Sequence, residues 1–91
     1  MIVNPEIQDV LQERETKYGP FDNHALITQQ LKWVMGSQKG YGRLNVSQRE
    51  SLDMIAHKIG RILNGDPNYA DSWVDIAGYA QLIVNELHAK T

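Results

Sequence analysis

Apolar residues return at helical spacing along four stretches of this chain, separated by short breaks rich in glycine, proline and polar residues. The first stretch opens with Asn4-Pro5, a cap followed by proline at the first helical position, where its missing N–H costs nothing. Ile7, Val10, Leu11 and Tyr18 share one side, and Glu6, Gln8, Asp9, Gln12, Glu13, Glu15 and Lys17 form a solvated outer face. Gly19-Pro20 ends the pattern, so a helix is expected over 5–17. In the second stretch Phe21, a cap at Asp22 and Leu26 have the spacing of a hydrophobic staple. The helix expected over 23–35 buries Ile27, Leu31, Val34 and Met35, with Trp33 off the stripe and free for an interface. His24, Thr28 and Lys32 form a polar line beside it, and a lone histidine near a helix start reads as facing solvent.

The third stretch begins with Ser47 and Glu50, which fit the reciprocal capping pattern S-x-x-E. Leu52, Ile55, Ala56, Ile59, Ile62 and Leu63 then give one buried stripe and a helix over 48–63. Asn64-Gly65 is a stop signal, with glycine expected in the left-handed conformation, and Pro67 prevents continuation. The fourth stretch, 70–89, carries Trp73, Ile76, Ala77, Ala80, Ile83, Val84 and Leu87 on its main stripe. Asp71 and Asp75 stand near its start and His88 and Lys90 near its end, as the helix dipole favours. Val74 and Leu82 make it apolar on more than one face, which fits a central helix or one covered by a second subunit. The expectation is an all-α, four-helix bundle-like domain spanning 1–91, built on a C-terminal antiparallel hairpin and oligomeric.

The hairpin concentrates the chemistry. Gly60 and Gly78 interrupt its two helices on one flank, each costing about 1 kcal/mol relative to alanine. That suits close approach of a neighbouring helix, or a ligand against bare backbone. The other flank holds Lys58 and Arg61, with Asp75 and Tyr79 opposite, so a cross-helix ion pair is expected. Two cations three residues apart beside an acid and a tyrosine also suit a phosphate. The long connection 36–46 leads into a helix start and contains three glycines with Lys39, Tyr41 and Arg43. It is either a mobile loop or an anion-binding one. Its spacing does not match the nucleotide-triphosphate loop.

Composition narrows the classes. Net charge is −2 over 91 residues, so nothing resembles the basic footprint of nucleic-acid binding, and no sequence-specific nucleic acid is expected. Without cysteine there are no disulfides, thiol nucleophiles or cysteine metal sites. No apolar run approaches a membrane span, and Met1 to Pro5 does not open like a signal peptide, so the cytoplasm is the expected compartment. No Ser-His-Asp arrangement is evident. Carboxylate pairs are the remaining catalytic candidates: Glu50 with Asp53, and Asp71 with Asp75. The pairs lie on the order of 12–18 Å apart within one hairpin, too far to share a magnesium ion unless subunits combine. Asp53 with His57 is a two-ligand fragment without a third member.

Three runs carry a resemblance: Glu13-Arg14 through Tyr18-Gly19-x-Phe21, then Met54-x-x-x-Lys58-x-x-Arg61, then Asp71-Ser72-Trp73-Val74-Asp75-Ile76-Ala77-Gly78-Tyr79. Together they resemble a group of small tailed-phage proteins and, more distantly, the all-α nucleotide pyrophosphohydrolases of the MazG-like superfamily. That superfamily holds magnesium and a nucleoside triphosphate between E-E-x-x-E and E-x-x-D helices. Asp71 and Asp75 match the second element with four-residue spacing, whereas Lys58 and Arg61 stand where the first set of acids belongs. The resemblance therefore implies a phage accessory protein, working in the bacterial host cytoplasm, that binds a phosphorylated nucleotide or nucleotide signal without strong catalysis. In that reading Lys58 and Arg61 contact phosphate, Asp75 orients them, and Tyr79 or Tyr41 packs on the base. No cofactor is required. The alternatives are a magnesium-dependent pyrophosphohydrolase using Asp71 and Asp75, and a module that grips a host protein through Trp33, Val74 and Leu82.

Overall fold

A computed structural model describes residues 4–90; Met1 to Val3, read above for a signal sequence, and Thr91 lie outside the described residues. The chain folds as four helices: α1 (Pro5–Tyr18), α2 (Phe21–Gly36), α3 (Val46–Asn64) and α4 (Ala70–Ala89). A short 3₁₀ helix, Lys39–Arg43, occupies the connection between α2 and α3. Among the described residues there is no strand. Asn4 caps α1 by accepting from the Glu6 N–H at 2.8 Å. The helix closes where the Gly19 N–H donates to the Glu15 carbonyl. Gly19 has φ of +76°, and a side chain there would collide with the Asn64 backbone, so both conformation and contact require glycine.

Two caps differ from expectation. Helix α2 starts at Phe21, and Asp22 accepts from the neighbouring Asn23 N–H instead of serving as the staple's cap. At α3 the capping box belongs to Asn45 and Gln48, two residues earlier than the Ser47 pattern. The Asn45 side chain accepts from the Gln48 N–H at 2.8 Å, and the Gln48 side chain accepts from the Asn45 N–H at 2.9 Å. Asparagine caps at least as well as serine, and glutamine closes the box as glutamate does. Ser47 is left to donate to Glu86 on α4. Gly65 has φ of −129°, outside the left-handed region. Its small size matters instead, because its Cα lies against the backbone of Lys17 and Tyr18.

Helix α3 is central, packing most extensively on α4 and next on α2. Both pairings are antiparallel, as Ser47–Glu86 with Lys58–Asp75 shows for one and Lys32–His57 with His24–Gly60 for the other. Helix α1 has no buried residue and is held near its C-terminal end. There Asn64 Nδ2 donates to the carbonyls of Tyr18 and Pro20, and the Asp66 N–H donates to that of Lys17.

The buried set is small and mostly polar. Ala56 is the only buried hydrophobic among the described residues, alongside His24, Thr28, Ser51, Lys58, Gly60 and Ser72. The line His24, Thr28, Lys32 is thus the face of α2 turned to α3, and His24 does not face solvent. Ala56 and Gly60 let the helices approach closely, which leaves room for short polar side chains in the seam. Ile27, Leu31 and Met35 are only half-buried, and Val34, Leu52, Leu63, Trp73 and Leu87 are exposed. The resulting shape is elongated, 52 × 26 × 25 Å.

Candidate functional site

The expected cross-helix ion pair forms for one cation and not the other. Lys58 Nζ lies 3.1 Å from Asp75 Oδ2, with the lysine side chain 9% exposed and the aspartate 45%. Ser51 sits on the same side of α3 and donates to the Tyr79 carbonyl. Lys58 is therefore committed to bracing α3 against α4, with its charge already neutralised. Arg61, three residues on, turns toward α1, where its guanidinium lies over the Tyr18 ring at 4.4 Å.

That stack borders a cleft of about 510 Å³ lined by Leu11, Arg14, Glu15, Tyr18, Gly19, Phe21, His24 and Arg61. A second hollow of about 310 Å³ shares Arg14, Tyr18 and Arg61. Each element of the larger cleft has a local cause. Gly19 turns the chain sharply between α1 and α2, and Asn64 fixes the corner. Two arginines, two aromatic rings and a buried imidazole are thereby gathered between α1, α2 and α3. Neither Arg14 nor Arg61 is in an ion pair among the described residues, while the nearby Lys17 pairs with Glu13 at 3.2 Å. That pairing holds the Lys17 ammonium above its ordinary pKa.

Behind the cleft lies a histidine pair. The His24 and His57 rings are 5.7 Å apart, and Lys32 Nζ is 3.0 Å from His57 Nε2. An ammonium can donate only to an unprotonated ring nitrogen, so His57 is neutral in this arrangement. Burial lowers the pKa of both rings. A proton on the neighbouring His57 and the charge of Arg61 push His24 further down, and Lys32 and Arg61 do the same for His57. Among the described residues His24 Nδ1 is buried without a hydrogen-bond partner.

The remaining candidates are not brought together. Lys39, Tyr41 and Arg43 sit on the 3₁₀ helix, where Tyr41 lies under the Arg49 guanidinium at 4.9 Å. Arg49 is twelve residues before Arg61 on α3, roughly 18 Å along the axis, so this loop and Arg61 do not form one site. Asp75 is taken by Lys58, and the Asp71 carboxylate raises the pKa of the Tyr69 phenol. Among the described residues no group of three histidines, cysteines or carboxylates could hold a metal. The donor set does not fit a magnesium site within one chain. Gly78 has open space around it, unlike Gly60. Trp33, Val74 and Leu82 are exposed on two helices that α3 separates. Among the described residues no helix is long and apolar enough to cross a membrane.

Arg14, Tyr18, Phe21 and His24 were not singled out as ligand-binding from the sequence. The signal was present for the first three, since the run from Glu13-Arg14 to Tyr18-Gly19-x-Phe21 is one of the three that carry the resemblance. A family model described as "Domain of unknown function (DUF6378)" matches residues 4–87. No curated protein and no solved structure matches the chain.

Proposed function

We propose that this chain, which belongs to the DUF6378 family, binds a phosphorylated nucleotide or nucleotide-derived signal in the cleft between α1, α2 and α3. The observation that carries the reading is the pair Arg14 and Arg61, both without a carboxylate partner among the described residues, beside the rings of Tyr18 and Phe21. Unpaired guanidinium groups are the favoured phosphate donors, and aromatic faces accept a base. The cleft's volume falls within the ~300–1,000 Å³ common for small-molecule sites. Arg61 keeps the role expected of it, whereas the second cation becomes Arg14, because Lys58 is already neutralised by Asp75. A homo-oligomeric phage accessory protein at work in the host cytoplasm, related distantly to MazG-like hairpins, belongs to the same proposal.

Calorimetric titration with ATP and with inorganic pyrophosphate tests it. Arg61→Lys and Arg14→Ala each weaken binding about tenfold or more, as expected when a charge-assisted hydrogen bond worth ~1.5–3 kcal/mol is lost. Lys39→Ala and Arg43→Ala leave affinity unchanged. No heat from either ligand would end the reading. Pyrophosphate released from ATP with magnesium present would replace it with the hydrolase alternative.

A further inference from the structure

The three packed helices leave one broad apolar face uncovered. Helix α3 meets α4 through Ser51 and Lys58 and meets α2 through Ala56 and Gly60. At 3.6 residues per turn, Leu52 and Leu63 project into the gap between those contacts, on the side away from His57 and Arg61. Helix α2 meets α3 through His24 and Thr28, and its Leu31 and Val34 lie roughly a quarter-turn away. Helix α4 meets α3 on the side of Ser72 and Asp75, with Ile76 and Leu87 displaced by a similar angle. Because neighbours are antiparallel, these displacements run the same way in space, and the six side chains share one face. The opposite face carries Lys32, His57 and Arg61.

We propose that this face is the interface with a second copy of the chain. The inference deepens only the oligomeric part of the proposed function and is independent of its ligand. A compact monomer of 10.4 kDa exposes about 5,400 Å², whereas this chain exposes 6910 Å², a surplus of roughly 1,500 Å². Its radius of gyration is 15.8 Å, against about 12 Å for a compact chain of this length. Covering the surplus on two copies removes roughly 3,000 Å², within the ~2,000–5,000 Å² of obligate homodimers. Weak or transient partners need far less. With Ala56 as the only buried hydrophobic among the described residues, the fold needs its partner from the moment it forms. A second copy is the one partner always present in equal amount. The six residues carry no charge, so a twofold apposition of the face on itself meets no like-charge repulsion.

Light scattering on the intact protein across a dilution series, with urea unfolding at each concentration, is the test. The expected mass is twice 10.4 kDa, and the unfolding midpoint rises with protein concentration. Leu63→Glu dissociates the dimer or unfolds the chain at concentrations where Trp33→Glu, on the outer side of α2, still runs as a dimer. A monomer mass with a concentration-independent midpoint overturns self-association. A dimer that survives Leu63→Glu but not Trp33→Glu overturns the choice of face while leaving the oligomer standing. Neither result bears on whether pyrophosphate binds.

Discussion

Gly60 and Gly78 are both mid-helix glycines with opposite surroundings, and substituting each by alanine separates packing from propensity. A Cβ at Gly60 would lie 2.8 Å from Thr28 Cγ2 and 3.0 Å from His24 Nδ1, whereas one at Gly78 would meet nothing within 4 Å. Thr28 is 2% exposed and β-branched, so its methyl has no free rotamer to move into. Each substitution gains about 1 kcal/mol of helix propensity. At Gly60 the overpacking costs about 1–3 kcal/mol, leaving a net effect from near zero to a loss of ~2 kcal/mol. Gly78→Ala therefore stabilises by about 1 kcal/mol, and Gly60→Ala does not. Urea unfolding at one fixed protein concentration measures both, since an oligomer's midpoint depends on concentration. Thr28→Ser keeps the hydroxyl bond to the Ala25 carbonyl and deletes the offending methyl. In the Gly60→Ala background it recovers part of the loss, a coupling of ~0.5–3 kcal/mol. Equal stabilisation by the two alanine substitutions would refute the α2–α3 seam described above.

Three further outcomes follow from the same contacts. His24 and His57 have folded pKa values below their unfolded ones, so the unfolded chain takes up protons first as the solution is acidified. Stability is then constant above about pH 7 and falls as pH drops through about 6.5 toward the depressed folded values; His57→Gln flattens that slope, and an unchanged profile would show that the imidazoles do not govern it. Asp75→Asn leaves the buried Lys58 ammonium without its counter-charge and costs about 1–3 kcal/mol, between exposed and buried pairs, read as a lower urea midpoint; no shift would mean the pair is idle. Asn64→Ala removes the donor to the Tyr18 and Pro20 carbonyls, so amide exchange across α1 speeds up while α3 and α4 keep their protection; uniform protection would place the α1 anchor elsewhere.

Periodicity revealed the helices because each is long and ends at strong breakers. Asn4-Pro5, Gly19-Pro20 and the turn at Asn64-Gly65 mark boundaries within three residues of those observed. It misjudged which side of α2 is covered and how far the apolar stripe of α3 is buried. A stripe of Leu52, Ile55, Ile59 and Leu63 reads as core because apolar area is normally removed from water, and a single copy of this chain does not remove it. Meanwhile His24, Thr28 and Lys32 read as a solvated line, because nothing in local spacing announces that Gly60 will bring α3 close enough to cover them. Lys58 and Asp75 were legible as partners by counting back from the turn. Arg61 was not, because its destination depends on how Gly19 folds α1 over the end of α3, a contact far away in sequence.

The central functional claim is that anion recognition resides at the α1–α2–α3 corner. Backbone amide NMR spectra of the intact protein, recorded during titration with pyrophosphate, test it most directly. The account predicts saturable shifts concentrated at Arg14, Tyr18, His24 and Arg61, with Lys58 and Asp75 little changed. Shifts centred on Lys39, Tyr41 and Arg43, or none at all, would contradict it.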